Sequence, residues 1–179
     1  MELIFSKDCP RNATLSLPTG QPVYSISTPD RWIEHQQTTI KKFHPRTSLP
    51  HDMGVIVIHD WNKKSVVEVW GRNVLPKSAG VFKKGRAFTA SNGQQYTWKR
   101  KPDAALLTDK FDNTLAIYDT RHLINMFSPK DPTPAKLTIA PAAVELADEI
   151  VGTFVYFEQQ ERRAQRRSAA LSSFPVATV

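Results

Sequence analysis

The amino-acid sequence predicts a mainly β domain of the α+β class: one sheet wrapped around a single hydrophobic helix near the C-terminus. Three observations carry this. Strand-like runs recur at about 8 to 12 residue intervals from Leu3 to Ile139, separated by turn residues. The apolar period then switches to a helical one between Ala142 and about Arg167. Within that segment Ile150, Val151, Phe154, Val155 and Phe157 leave little polar face. A helix apolar nearly all round belongs in a core.

The elements follow in order. Leu3–Phe5 is a short apolar run. Thr14–Leu17 alternates until Pro18-Thr19-Gly20-Gln21, and Pro22–Ser27 alternates again, which makes a hairpin around a Gly turn. Thr38–Phe43 is strand-like and Pro45–Pro50 reads as a loop. Gly54–His59 and Ser65–Trp70 form a second hairpin, and the unbroken apolar run Gly54–Ile58 predicts a strand buried on both faces. Ala87–Ala90 and Gln94–Lys99 flank Asn92-Gly93, the preferred pair for a tight hairpin because both residues tolerate positive φ. Phe88, Tyr96 and Trp98 are then same-face or cross-strand neighbours. Ala105–Thr108 and Thr114–Tyr118 make a further hairpin, Pro129–Pro134 a loop, and Ala135–Ile139 a last strand.

Pro141 suits a first helical position. Glu145, Asp148 and Glu149 near the start, and Arg162, Arg163, Arg166 and Arg167 near the end, complement a helix dipole. Locally, Gly152–Tyr156 is β-prone and opposes this reading. Residues 1–167 are expected to form one domain including the helix (about 142–167), with 168–179 a disordered tail.

Composition limits the chemistry. The 179 residues are enough for one core without staples. Thirteen Pro against seven Gly imply stiff connections between short elements. The single cysteine, Cys9, allows neither an intrachain disulfide nor a cysteine-rich zinc site, and points to a reducing compartment. The N-terminal run is broken at once by Lys7 and Asp8 and does not read as a secretory signal. A cytoplasmic protein, attached at most peripherally to a membrane, is expected. The histidines (His35, His44, His51, His59, His122) have no metal-binding spacing, and no nucleophile motif, phosphate-binding glycine loop or carboxylate pair stands out. No cofactor or metal is implied, and the reading leans away from an enzyme. A pocket joining His59, His122 or Cys9 to an acidic neighbour would reverse that.

The net charge of +7 favours anionic partners. Lys41-Lys42 (with Arg46), Lys63-Lys64, Lys83-Lys84 with Arg86, and Lys99-Arg100-Lys101 all fall at strand ends or turns. If these ends share one rim, Lys41, Lys42, Lys83, Lys84, Arg86, Lys99, Arg100 and Lys101 would bind an anionic phospholipid surface or an acidic protein, with Trp61 and Trp98 at the membrane interface. A protein-interaction or structural module with incidental charge is the alternative, and a small-molecule carrier or enzyme a further one. Nucleic acid, stacking on Tyr96 and Trp98, ranks behind.

Several blocks resemble a known family. They are Pro10-Arg11-Asn12, Gly20–Pro29, Thr38-Thr39-Ile40, Gly71-Arg72, Phe88–Lys99 and Asp148–Tyr156. In this order they resemble an uncharacterised family of fungal proteins (domain of unknown function 6593) and, more distantly, the tubby-like and scramblase-like barrels. The resemblance runs from about Leu3 to Arg167. It implies a closed antiparallel β-barrel of about a dozen strands with the C-terminal helix through its centre. Tubby-like relatives bind phosphoinositides through basic side chains on the barrel wall, which implies a phosphoinositide ligand here without assigning residues to it.

Overall fold

A computed structural model describes residues 1–7, 9–29, 36–59, 64–80, 85–119 and 134–172, with the backbone alone at Gln36, Leu171 and Ser172. The strands are β1 (Glu2–Phe5), β2 (Ala13–Ser16), β3 (Pro22–Ser27), β4 (Gln36–Phe43), β5 (Pro50–Ile58), β6 (Val66–Val69) and β7 (Arg72–Asn73). They continue with β8 (Lys77–Ser78), β9 (Arg86–Thr89), β10 (Gln95–Lys101), β11 (Ala104–Thr108), β12 (Thr114–Asp119) and β13 (Lys136–Ile139). A 3-10 turn (Pro141–Leu146) leads into helix α1 (Ala147–Ser172).

All thirteen strands form one antiparallel sheet in the order β7-β6-β5-β4-β3-β2-β1-β13-β12-β11-β10-β9-β8. The chain meanders from β1 out to one edge at β7, resumes at the other edge with β8, and meanders back. β13 then pairs with β1, Leu3 opposite Leu137. The four predicted hairpins and the last strand are all present.

The sheet is not closed into a barrel, and this corrects the expectation of a closed one. Parity gives the reason. Alternation around thirteen strands leaves β7 and β8 running in the same direction. Joining a parallel pair takes a crossover of about a dozen residues, whereas only Val74, Leu75 and Pro76 separate β7 from β8. The two short strands are successive pieces of one stretch, paired first to β6 and then to β9. Asn73 and Lys77 lie four residues apart, so the two sheet edges approach within about 15 Å.

The sheet curls around α1. Every residue from Glu149 to Gln159 is buried. Phe154 meets the rings of Phe5 on β1, Trp98 on β10 and Tyr118 on β12. Tyr24 on β3 and Thr38 on β4 bond Asp148 and Gln159. Both arms of the sheet thus face one helix. Trp98, fully buried, stacks on Phe157 at 5.9 Å and donates its indole N–H to the Thr153 hydroxyl at 3.1 Å.

Three expectations need adjusting. The run Gly54–Ile58 alternates in burial, because Val55 and Val57 on the outer face stay half-buried. The helix runs to Ser172, beyond the expected end, because Ser168–Ser172 holds no Pro or Gly to stop it. The last turn consequently carries no basic residue, so Arg162–Arg167 do not complement the helix end, whereas Asp148 and Glu149 do sit in the first turn.

Candidate functional site

Strand alternation gives the molecule two unlike ends. At the entry end, where α1 begins, lie the turns β2–β3, β4–β5, β6–β7, β9–β10 and β11–β12. At the exit end α1 emerges past Glu158.

The predicted basic residues divide between these ends. Lys42 on β4 bonds both Asp148 carboxylate oxygens, at 2.8 and 2.9 Å, at the entry end. Lys41 pairs with Asp52 at 3.5 Å. Arg100 on β10 pairs with Glu158, ten residues further along α1 and therefore about 15 Å lower. Lys101 is exposed at the last position of β10, and the Arg86 guanidinium lies 5.7 Å from the Tyr156 ring. Lys99 pairs with Asp112 on the outer face. These six do not share one rim, and four of them hold carboxylates. Lys83, Lys84, Lys63 and Trp61 lie outside the described residues, as do His35 and His122. Trp98 is sealed in the core and Tyr96 is buried, so neither offers a face to a membrane or a base.

The entry end is held by one carboxylate. Asp148 accepts from the Tyr24 hydroxyl (2.6 Å), Lys42, and the Trp70 indole N–H (2.8 Å). Burial alone would raise its pKa; the bonds from Lys42, Tyr24 and Trp70 outweigh this and hold it below the ordinary carboxylate value. Burial, and then the Asp148 charge and hydrogen bond, push the Tyr24 hydroxyl far above the ordinary tyrosine value. Next door, Glu149 accepts from the Ser91 backbone N–H at 2.9 Å and pairs with Arg72 at 3.4 Å.

Around this anchor stand exposed apolar side chains. Leu49 (60% exposed), Trp70 (55%) and Phe111 (73%) are the most exposed large apolar residues among those described. They occupy the β4–β5, β6–β7 and β11–β12 turns, all at the entry end. Val144, also exposed, lies in the 3-10 turn that precedes α1. The same three turns contain Ser48 (φ 53°), Trp70 (φ 51°) and Asp112 (φ 64°), the non-glycine residues found with positive φ among those described. Trp70-Gly71 has both residues in this region (Gly71 φ 74°), as a type I′ hairpin requires, but with tryptophan where Asn is usual. A bulky residue held there costs about 1–3 kcal/mol. Basic groups adjoin: Arg46 shares a turn with Leu49, and the Lys110 ammonium sits 4.9 Å from the Phe111 ring centre.

At the exit end Cys9, Arg11, Gln159, Arg162, Arg163 and Arg166 surround a compartment of about 90 Å³. Glu158, behind it, bonds Arg162 at 2.9 Å as well as Arg100. Sequence reasoning missed this cluster, having set Arg162–Arg167 down to the helix dipole. Three larger surface hollows are lined by residues such as Gln95, Thr97 and Asp109, by Arg72 and Leu75, and by Lys77 and Phe88; no histidine lines any of the four. Arginines and Gln159 are the described residues that line the compartment with Cys9. His59 ends β5 half-buried. Among the described residues no His, Cys, Asp and Glu group could hold a metal ion, and no helix is long and apolar enough to cross a membrane.

No curated protein matches the chain, and no solved structure does. A protein family matches over residues 8–163, nearly the whole domain. The chain therefore belongs to the family of unknown function DUF6593.

Proposed function

We propose that the protein is a non-catalytic module that docks on anionic phospholipid surfaces through its entry end. The observation that carries this is the coincidence of the three most exposed apolar side chains, Leu49, Trp70 and Phe111, with the three non-glycine left-handed residues in the same turns. The left-handed backbone falls on Trp70 itself and, in the other two turns, on the neighbours Ser48 and Asp112; strain kept at an exposed tryptophan costs stability, which fits a role beyond folding. Apolar and aromatic tips enter the interfacial layer of a bilayer, and Arg46, Lys41 and Lys110 meet the headgroups. On this reading the curled sheet is an open relative of the tubby-like architecture, the protein is cytoplasmic and peripheral, and a phosphoinositide is one candidate headgroup.

Flotation with vesicles of neutral lipid, of neutral plus anionic lipid, and of neutral lipid plus phosphoinositide tests the reading. Binding is expected to rise with anionic lipid, to weaken with salt, and to fall roughly tenfold for each of Leu49→Ala, Trp70→Ala and Phe111→Ala. Equal recovery of wild type and the triple variant with every vesicle would refute lipid docking.

A second reading draws on the ion pairs of Lys41, Lys42, Lys99 and Arg100 with carboxylates. In it the charge is incidental and the apolar turns dock a protein. Vesicle binding absent in all three mixtures, with Trp70 still exposed to a water-soluble quencher, would favour it.

A further inference from the structure

We propose that the hollow between β10 and the β11–β12 turn binds a neutral polyhydroxylated ligand, a hexose unit of a glycan. The site lies on the outer face of the sheet and does not depend on the lipid-docking reading. Tyr96 and Trp98 are buried in the core, so Gln95, Thr97 and Lys99 alternate with them on the outer face of β10. Thr108 on β11 pairs with Thr97. The register of β11 with β12 shifts between Leu107 and Thr108, and such a bulge bends its strand. The turn beyond it leans over β10, where Lys99 bonds Asp112. Together these residues surround a hollow of about 340 Å³, a volume within the range of small-molecule sites.

Thr108 is the residue that points to a ligand. It is only 5% exposed although it stands on the outer face, and it lines the hollow. Its hydroxyl makes no hydrogen bond among the described residues. A buried polar group left unsatisfied costs stability. Valine would fill the same space without that cost and is an equally good strand residue. A hydroxyl kept here has its use when a second hydroxyl or other polar group arrives to bond it. Gln95 and Thr97, across the strand pair, add an amide and another hydroxyl to the same lining.

The charges around the hollow argue for a neutral ligand. Two ammonium groups, Lys99 and Lys110, are matched by two carboxylates, Asp109 and Asp112. Lys99 is held by Asp112. Asp109 secures its own turn, accepting from the Phe111 and Asn113 backbone N–H groups at 2.8 and 2.9 Å and from the Asn113 side chain at 2.9 Å. The side-chain bond from Asn113, joined by the backbone N–H groups, holds its carboxyl below the ordinary carboxylate value. A phosphate would meet both carboxylates, and an organic cation both ammonium groups. No apolar side chain is among the described lining residues. A hexose presents donors and acceptors around an uncharged ring, which matches hydroxyls, an amide and the lone pairs left on the carboxylates. Gln95 and Thr97 also line a second hollow of about 350 Å³, with Lys77, Ser78 and Thr89, so a chain of sugars has room to continue across them. The step is binding alone, with no bond made or broken.

Saturation-transfer NMR on the full chain tests this with glucose, galactose, mannose and N-acetylglucosamine, and with maltotriose and chitotriose. Transfer to at least one of these sugars is expected, and a titration then gives its affinity. Thr108→Val and Gln95→Ala are expected to weaken binding roughly threefold or more each, the loss of one hydrogen bond. Inorganic phosphate should not compete. Lys101→Gln, exposed at the last position of β10 and outside the hollow, should change the affinity less than about twofold. Thr108→Val removes an unsatisfied hydroxyl, so its melting temperature should equal or exceed that of wild type, and its lost binding cannot come from a lost fold.

Transfer to none of these sugars overturns the site. So does binding indifferent to Thr108→Val and Gln95→Ala, or a bound sugar displaced by inorganic phosphate. Vesicles of neutral lipid with and without a hexosyl lipid distinguish the source of the sugar. A glycolipid headgroup requires flotation to rise with the hexosyl lipid and to drop in Thr108→Val, and a soluble glycan requires equal flotation with both vesicles. Failure of lipid docking would appear instead with anionic vesicles in Leu49→Ala and Trp70→Ala, with the sugar titration unchanged.

Discussion

At the scale of single residues, Asp148 is the most connected side chain of the entry end. It sits in the first turn of α1, where the helix dipole favours an anion. It also ties three strands' worth of chain to that turn through Tyr24, Lys42 and Trp70. Asp148→Asn keeps the shape but removes the charge that Lys42 answers, and is expected to cost about 1–3 kcal/mol. The pH dependence follows from the direction of each shift. The folded pKa of Asp148 lies below its ordinary 3.8, so its stabilisation is present above that value and lost as pH falls through the folded pKa. The folded pKa of Tyr24 lies above its ordinary 10.0, so its contribution is present below that value and lost as pH rises beyond it. Denaturant midpoints from pH 2 to 11 should show the acid limb flattened in Asp148→Asn. The basic limb should be reduced there but retained, since burial still acts on Tyr24. An unchanged acid limb would mean that the carboxylate is not ionised below the ordinary value. Trp70 links this network to the surface: its N–H is committed to Asp148 while its ring stays exposed, so the tip is held rigid at the position from which it would enter a lipid interface.

At the scale of the element, α1 shows what sequence discloses and what it withholds. The spacing of Ile150, Val151, Phe154, Val155 and Phe157 was enough to place a buried helix. The β-prone stretch Gly152–Tyr156 argued against it. The packing reverses that impression. A Cβ built on Gly152 would lie 2.6 Å from Val69 Cγ2 on β6, so glycine is what lets helix and strand approach so closely. Gly152→Ala improves helix propensity by about 1 kcal/mol but forces overpacking of typically about 1–3 kcal/mol. A net loss of stability is expected, and the companion change Val69→Ala should recover part of it. A double-mutant cycle measured by chemical denaturation reads the coupling directly; additivity of the two changes would show that the close approach does not matter. The arginines show the complementary limit. Their common helix face could be read from spacing, but the nearness of Arg11 depends on a chain of hydrogen bonds from its carbonyl through the Thr28 and Thr38 hydroxyls to the Gln159 amide, whose ends are more than a hundred residues apart. Likewise β7 and β8, two residues each, carry no periodicity to detect. Tyr96 and Trp98 show the same limit: their i, i+2 spacing announced a shared face without saying that it was the inner one.

At the scale of the whole molecule, the decisive pairing is β1 with β13, which closes the meander where its two ends meet. The seam between β7 and β8 is already open, so β1 is the strand that makes one sheet out of two. Without it the order breaks into six strands from β7 to β2 and six from β13 to β8, each with a fresh edge beside the other. The loss also uncovers the helix. Leu3 and Phe5 are fully buried, and Phe5 contacts both Phe154 and Tyr118. Deleting Met1–Phe5 therefore removes about 2–5 kcal/mol for each large core side chain and leaves two unprotected strand edges prone to pairing between molecules. That is comparable to the entire stability of an ordinary domain. A chain beginning at Ser6 is expected to lose its cooperative thermal transition and to associate as concentration rises, while Ser168→Gly on the exposed end of α1 should leave the transition within a few degrees. A cooperative monomer from the shortened chain would show that the helix alone holds the two arms together, and that the closing strand is dispensable.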